Sequence, residues 1–356
     1  MSHARKMKWA TVSVLAAVGV AILPVSGQTA EYDDIVKAAA KEGTIVMWAS
    51  TPREDTTQAL ADAFNKKFGM NIKIERVGVS AGDVASRLLA EKRGGRYTVD
   101  LTIISDATMP TLIQNDLVEK VDWQGIFGGK FEGLKNAATE IVDVSRGYGL
   151  QFRDLVYGIT YNTKIISEKE APKTWADLTD PKWRRKVTID AGLSPIARLI
   201  SSLGKEGVLK LGKEIVQNQP VYANGSNAAM QKVVSGEAPI GVLALNTALG
   251  EKRKGAPVEM VHPEPLAMVS SQLMLVPKNA PHPNLAKLFT AWFATEGMAT
   301  QANIDEGSIR ARAGAPGEFG DYFTKHNLVT KRAETMEDLK AADDIRKDLV
   351  ELTTGR

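Results

Sequence analysis

The sequence predicts an α/β protein of two lobes, with a ligand cleft between them and two extended hinge crossings. Three observations lead there. Short apolar runs alternate with amphipathic helical stretches over residues 44–120 and again over 187–255, the order that builds βαβ-type parallel sheets. Two long extended stretches, residues 148–163 and 266–279, interrupt that alternation and join the two series. The chain has 356 residues, 44% of them hydrophobic and 24% charged. That is more than the ~150 residues usual for one domain, with enough apolar content for two cores.

The elements follow in order. "EYDDIVKAAAKEG" has helical spacing and stops at Gly43, a C′ position that favours a residue without Cβ. "TIVMWAS" is a short apolar run rich in β-branched and aromatic residues, hence a buried strand. In "TPREDTTQALADAFNKKFG", Leu60, Ala63, Phe64 and Phe68 share one helical face. "MNIKIERV" alternates as a half-buried strand does, "DVASRLLAEKRGG" is helical, "VDLTIISD" is a strand and "ATMPTLIQNDLVEK" a helix. "YGLQFRDLVYGITYNT" reads as one long strand carrying Arg153 and Asp154. A second series follows, with strands in "KVTID", "PVYA" and "APIGVLAL" and helices in "SPIARLISSLGKEGVLKLGKEIVQN", "NGSNAAMQKVVSGE" and "NTALGEKRKG". "LAMVSSQLMLVPKN" then returns the chain to helical "HPNLAKLFTAWFATEGMATQAN", and "KRAETMEDLKAADDIRKDLVEL" makes an amphipathic helix packed on a lobe. The expected division is residues 31–150 for the first part of lobe 1, 151–268 for lobe 2 with the hinge strand at its start, and 269–356 for the return to lobe 1 plus C-terminal helices.

Residues 1–30 are of another kind. Arg5, Lys6 and Lys8 precede "ATVSVLAAVGVAILPV" and small polar "SGQTA", the three regions of a cleaved secretory signal peptide. The apolar core is shorter than the ~20 residues that span a bilayer, and a cut after Gly27 or after Ala30 leaves a small residue at the junction. Export to the periplasm is therefore expected. There is no cysteine, which excludes a lipoprotein anchor, disulfides and thiolate metal sites. The chain has 45 basic and 42 acidic residues. Removing the signal takes out Arg5, Lys6 and Lys8 and no acid, which leaves basic and acidic residues equal in number. No nucleic-acid-binding surface is expected.

Several stretches, in order, carry a resemblance. "APKTWADLTDPKWRRKVTI", "LVYGITYNT", "VVSGEAPIGVL", "KGAPVEMVHPE" and "NAPHPNLAKLFTAWFATEGMATQ" resemble successive blocks of periplasmic solute-binding proteins of the ferric-iron-binding type, and "VMWAST" with "VDLTIISDATMPTLIQNDLVEK" fits their first lobe. The likeness covers residues 43–312. It implies a type II periplasmic-binding-protein fold, a small-molecule solute, an ABC transporter permease in the inner membrane as partner, a monomer, no cofactor and no catalysis.

The same resemblance places two adjacent tyrosines, the ferric ligands, after the strand "IGVLAL"; here Asn246 and Thr247 stand there. Neutral amide and hydroxyl oxygens are poor substitutes around a ferric ion. The mature chain has only His262, His282 and His326, in Pro-flanked or polar loops. The helix start and the Asn that hold the companion anion in such relatives fall at Ser194 and Asn224, and a helix start favours phosphate or carboxylate. Ser194 is expected to be an N-cap with Pro195 at N1, and Asn246 and Thr247 to cap the next helix while lining the cleft. Ser50, Thr51, Ser105 and Asp106 follow strand ends in the first lobe and suit either capping or ligand contact. Arg153 faces either a ligand anion or a salt bridge in the hinge, with Asp154 as the neighbouring partner. Arg310 and Arg312 follow "NIDEGS" as further candidates. The expected solute is a small organic anion, namely a carboxylate, a phosphonate or a phosphate-bearing compound. Ferric iron or an iron chelate, presentation of the solute to a membrane sensor, and an enzyme on the same fold stand as alternatives. The sequence lacks a recognisable Ser-His-Asp order or His-Glu-x-x-His motif.

Overall fold

Aliphatic and β-branched runs form the strands: β1 (Thr44–Trp48), β2 (Lys73–Val77), β3 (Leu101–Ser105), β4 (Leu150–Leu155), β5 (Tyr157–Asn162), β6 (Val187–Asp190), β7 (Val221–Ala223), β8 (Ile240–Ala244), β9 (Val258–Val261) and β10 (Ser270–Leu275). The structure is a computed structural model describing residues 26–49, 51–52, 54–80, 83–304, 314–315 and 317–354. The segment read as an export signal lies outside the described residues up to position 25, and Ser26–Ala30 begin the first helix. In lobe 1 and its loops the helices are α1 (Ser26–Glu42), α2 (Glu54–Phe68), α3 (Val84–Gly94), α4 (Met109–Gln114), α5 (Trp123–Phe127) and α6 (Leu134–Thr139). Then follow α7 (Ser194–Ala197), α8 (Ile200–Gln217), α9 (Gly225–Ser235), α10 (Leu245–Arg253), α11 (Pro283–Trp292), α12 (Met298–Ile304), α13 (Glu318–Lys325) and α14 (Met336–Thr354).

The strands form two sheets of five, ordered β2-β1-β3-β10-β4 and β7-β6-β8-β5-β9. The two orders repeat one plan. In each lobe the first three strands are parallel, and an antiparallel strand arriving from the other lobe is inserted beside the third: β10 in lobe 1, β5 in lobe 2. The crossings β4→β5 and β9→β10 are therefore equivalent steps in the two halves. Central β3 and β8 are buried nearly throughout, as continuous apolar runs require. Alternating β2 is exposed on one face at the sheet edge. Residues 148–163 are not one strand. The run divides at Val156, with β4 in one sheet and β5 in the other, because both halves are apolar enough to be buried in different cores.

Each lobe has its own core. Phe64, Phe289 and Trp292 pack together in lobe 1 with ring centroids 5.3–5.5 Å apart, Phe64 and Trp292 edge to face and the other pairs tilted. Trp175, Trp183, Ile189 and Leu211 lie in the core of lobe 2. Gly43 adopts φ +69° after α1, the left-handed stop its position predicts. The C-terminal elements belong with lobe 2: Phe319 and Phe323 of α13 join Leu243 and Met260, and Ile345 and Leu349 of α14 join the α8 side of the core. α12, by contrast, packs on α2 in lobe 1.

His262, between β9 and β10, sets its ring edge against Phe323 at 5.8 Å. Both ring nitrogens are buried without a hydrogen-bond partner among the described residues, and burial pushes the imidazole from its ordinary 6.5 down to about 4. The unfolded chain takes up this proton below pH 6.5, the folded chain only below about 4, so stability falls as the pH drops through that window. The loss is on the order of 3 kcal/mol. His262→Phe should remove that part of the acid destabilisation in denaturant titrations at successive pH values. An unchanged pH profile would show that His262 is not buried neutral.

Candidate ligand-binding cleft

β6, β7 and β8 run parallel, and their C-terminal ends meet at a cavity of about 960 Å³ where β4 hands the chain to β5. Strand ends of an open α/β sheet are where ligands settle. Lobe 2 supplies most of the lining, from Asp190 to Pro195, from Tyr222 to Asn227, and from Asn246 to Lys254. Arg153, Leu155 and Tyr157 come from the crossing, and Thr51 from lobe 1.

The crossing is held by the β8–α10 corner. Leu245 N–H donates to Val156 O at 2.7 Å. Asn246 Nδ2 donates to Asp154 O at 2.7 Å, and its Oδ1 accepts Val156 N–H at 3.4 Å. The capping role expected of Asn246 and Thr247 is corrected: the helix starts at Leu245, Ala244 is the N-cap, and no side chain caps it. The earlier start places Asn246 in the first turn, where its buried amide reaches the backbone of the passing strand. Asn246 and Thr247 both line the cavity.

Arg153 and Asp154 part company for a simple reason, since adjacent residues of a strand point to opposite faces. Arg153 lines the cavity. Asp154 is fully buried and accepts from Gln151 Nε2 (2.6 Å), Ser271 Oγ (3.1 Å) and both terminal nitrogens of Arg332, one at 2.8 Å. The partner of Asp154 is thus an arginine of the C-terminal segment and not its neighbour.

On the lobe 1 side, Thr51 Oγ1 is buried, borders the cavity and has no hydrogen-bond partner among the described residues. Ser105 and Asp106 do not border the cavity. Ser105 Oγ lies 3.4 Å from Thr108 Oγ1, and the Asp106 carboxylate accepts from Ala107 N–H (2.9 Å) and Ser271 N–H (3.2 Å). Burial pushes the Asp106 carboxyl above the usual carboxylate range, and Arg198, at 3.8 Å, draws it back. Arg198 also donates to Val269 O at 2.9 Å, so it bridges lobe 2, lobe 1 and the second crossing. Ser50, Arg310 and Arg312 lie outside the described residues.

Two helix starts face the cavity and differ in kind. Ser194 is not an N-cap. It is the first residue of the four-residue α7, and the cap position is Leu193 in a left-handed conformation, φ 48°. The Asp190 carboxylate accepts from Gly192 N–H (2.9 Å), Ser194 N–H (3.1 Å) and Ser194 Oγ (3.1 Å). The amides expected to hold a ligand anion are occupied by the protein's own. Asn224, by contrast, is the N-cap of the eleven-residue α9 and makes no side-chain cap bond. Residues Asn224–Asn227 all line the cavity, and Ser226 Oγ accepts Ala244 N–H at 3.0 Å, tying this start to β8. Sequence reasoning missed Asp190 and left Tyr157 aside. For Asp190 a signal was present, an Asp two residues before Gly and four before Ser, which reads as a side-chain-closed turn. Among the described residues no three His, Asp or Glu come together as a metal site.

Residues 59–318 match the family profile described as bacterial extracellular solute-binding protein. The chain is 25% identical over 255 residues to the major ferric iron-binding protein of Neisseria meningitidis serogroup B, covering 68% of this chain and 73% of that protein. A Haemophilus influenzae protein without an assigned function is 32% identical over 146 residues, 38% of this chain and only 42% of its own length. Among solved structures, the periplasmic binding protein AfuA of Actinobacillus pleuropneumoniae with fructose-6-phosphate bound superposes with a TM-score of 0.66 at 19% identity, covering 87% of this chain and 97% of that one. A Trichodesmium protein in complex with iron and citrate gives 0.65, also at 19% identity, over 88% and 99%. These likenesses show the two-lobe type II fold.

Replacing Arg332 by Met leaves a buried carboxylate without its cation, which should cost about 3–5 kcal/mol. Adding Asp154→Asn should recover most of that loss. Urea unfolding of the two variants checks both, and a cost below about 1 kcal/mol for the single variant would mean the pair is solvated.

Proposed function

The chain belongs to the bacterial extracellular solute-binding protein family, and from that premise we propose that it is the periplasmic receptor of an ABC importer, closing on a small organic anion. Members of this family bind and deliver solutes and are not enzymes. The observation that carries the reading is the convergence of Arg153 and the start of α9 on one cavity of about 960 Å³. Such a volume suits an organic solute. Arg153 offers a planar cation for a carboxylate or phosphate, the first N–H groups of α9 point positive dipole ends at the same space, and Thr51 Oγ1 offers lobe 1 a hydrogen bond that forms on closure. The neutral Asn246 and Thr247 speak against a bare ferric ion. The solute bound to the Actinobacillus protein, a phosphorylated sugar, is of the proposed class.

Closure proceeds by bending where β4 meets β5 and β9 meets β10, with the sheets as rigid bodies, and the permease reads the closed form. The N-terminal segment directs export, and the receptor acts as a monomer. No helix among the described residues is long and apolar enough to cross a membrane. Ferric iron or an iron chelate is the second reading. It is favoured by the Neisseria relative and by Tyr157 and Tyr222, which border the cavity. Burial pushes both phenols above their ordinary value, which weighs against their serving as phenolate ligands.

The test is thermal unfolding of residues 31–356 with phosphate, phosphate esters, phosphonates, small carboxylates, and ferric iron with and without citrate. A ligand at about 100 times its Kd stabilises by about 2.7 kcal/mol, a shift of a few degrees. An organic anion should give that shift and iron alone none, and Arg153→Ala should abolish it. A shift with iron alone, or an undiminished shift in the variant, would overturn the assignment.

A further inference from the structure

Asp190 stands at the end of β6, with its backbone in register with Ala223 at the end of β7, the residue before the α9 cap. The carboxylate therefore belongs to the end of the strand beside the one that leads into α9, and neighbouring strands lie about 5 Å apart. Both line the same cavity. The acceptor capacity of Asp190 is unevenly used: Oδ1 receives Gly192 N–H, Ser194 Oγ and a longer Ser194 N–H contact at 3.4 Å, whereas Oδ2 receives only Ser194 N–H. A carboxylate has about four acceptor positions, so Oδ2 keeps one. Arg346, the cation acting on Asp190, comes from α14 and is already paired with Asp343 at 3.0 Å.

We infer that Asp190 is a specificity-determining subsite for a hydrogen-bond donor, so that the solute carries an ammonium or hydroxyl group a few bonds from its acidic group. The inference rests on the anionic-solute reading above and deepens it. A bare anion at the start of α9 shares the cavity with the Asp190 carboxylate, and like charges in a partly desolvated cleft repel. A solute with its own donor turns that repulsion into a charge-assisted hydrogen bond. The loop from Asp190 to Ser194 is thus a device for rejecting simple anions such as inorganic phosphate. Burial raises the Asp190 carboxyl above its ordinary range against the pull of Ser194, Gly192 and Arg346.

The experiment is calorimetric titration of the protein with three size-matched probes: ethyl phosphate, 2-hydroxyethyl phosphate and phosphoethanolamine. The wild type should bind the two donor-bearing esters more tightly than ethyl phosphate, phosphoethanolamine by on the order of tenfold or more. Asp190→Asn keeps an acceptor oxygen for the Gly192 and Ser194 amides, so the loop survives. It should weaken phosphoethanolamine and tighten ethyl phosphate, changes of opposite sign that loss of structure does not produce. Equal affinity for all three probes in the wild type overturns the inference without any variant, as does a uniform change in Asp190→Asn. If none of the three binds while another phosphate or carboxylate does, this inference alone fails. If no anion binds at all, the reading beneath it fails as well.

Discussion

Everything in this molecule depends on how one residue, Val156, is held while the chain leaves one sheet for another. Neither sheet can satisfy the backbone on both sides of that step, and buried backbone groups must be paired. Leu245 and Asn246 supply the missing bonds, to Val156 O, Val156 N and Asp154 O. The side chain of Asp154 is fixed in turn by Arg332, Gln151 and Ser271. The crossing is thereby tied to both lobes and to the C-terminal segment at a single point. Bending there leaves each sheet intact.

The same requirement shapes the cleft. Asn246 serves the crossing with its amide and still borders the cavity, so the position that the resemblance assigns to a metal-binding phenol is committed to the backbone. What borders the cavity beside it is Arg153 from the crossing and the start of α9. Charge is distributed unevenly over what remains. A cation comes from the crossing, free helix amides from α9, and a carboxylate closes the loop before α7. Such a surface distinguishes solutes by where their donors and acceptors lie, beyond net charge.

The large-scale plan was legible in the sequence because hydrophobic periodicity reports it. The buried runs at β1, β3 and β8 and the helices between them were all readable, and so was the stop at Gly43. The division at Val156 was not, since two buried strands in different sheets look like one long strand when both are apolar. Thr51, Arg153, Ser194, Asn224, Asn246 and Thr247, named from sequence as candidates, all border one cavity. What each does there was harder to read. A helix that starts earlier than expected turns a cap into a clamp, and the Asp190 turn is a local bond that competes with any ligand for the same amides. Ser105 and Asp106 look like cleft residues from their place after β3, yet Arg198 from the other lobe and Ser271 from β10 claim Asp106. Those partners are distant in sequence, and no local pattern announces them.

The central claim is that two rigid lobes close about these crossings on an anionic solute. The chain has no cysteine, so thiols introduced by Lys66→Cys on α2 and Lys213→Cys on α8, both exposed positions, can carry a pair of spin labels. Electron–electron double resonance then reads the interlobe distance with and without the anion that gives the largest thermal shift. The account predicts a broad distribution that collapses to one shorter distance when the anion is added. Identical distributions in both states would mean that the lobes do not close on the solute, and the account would be wrong.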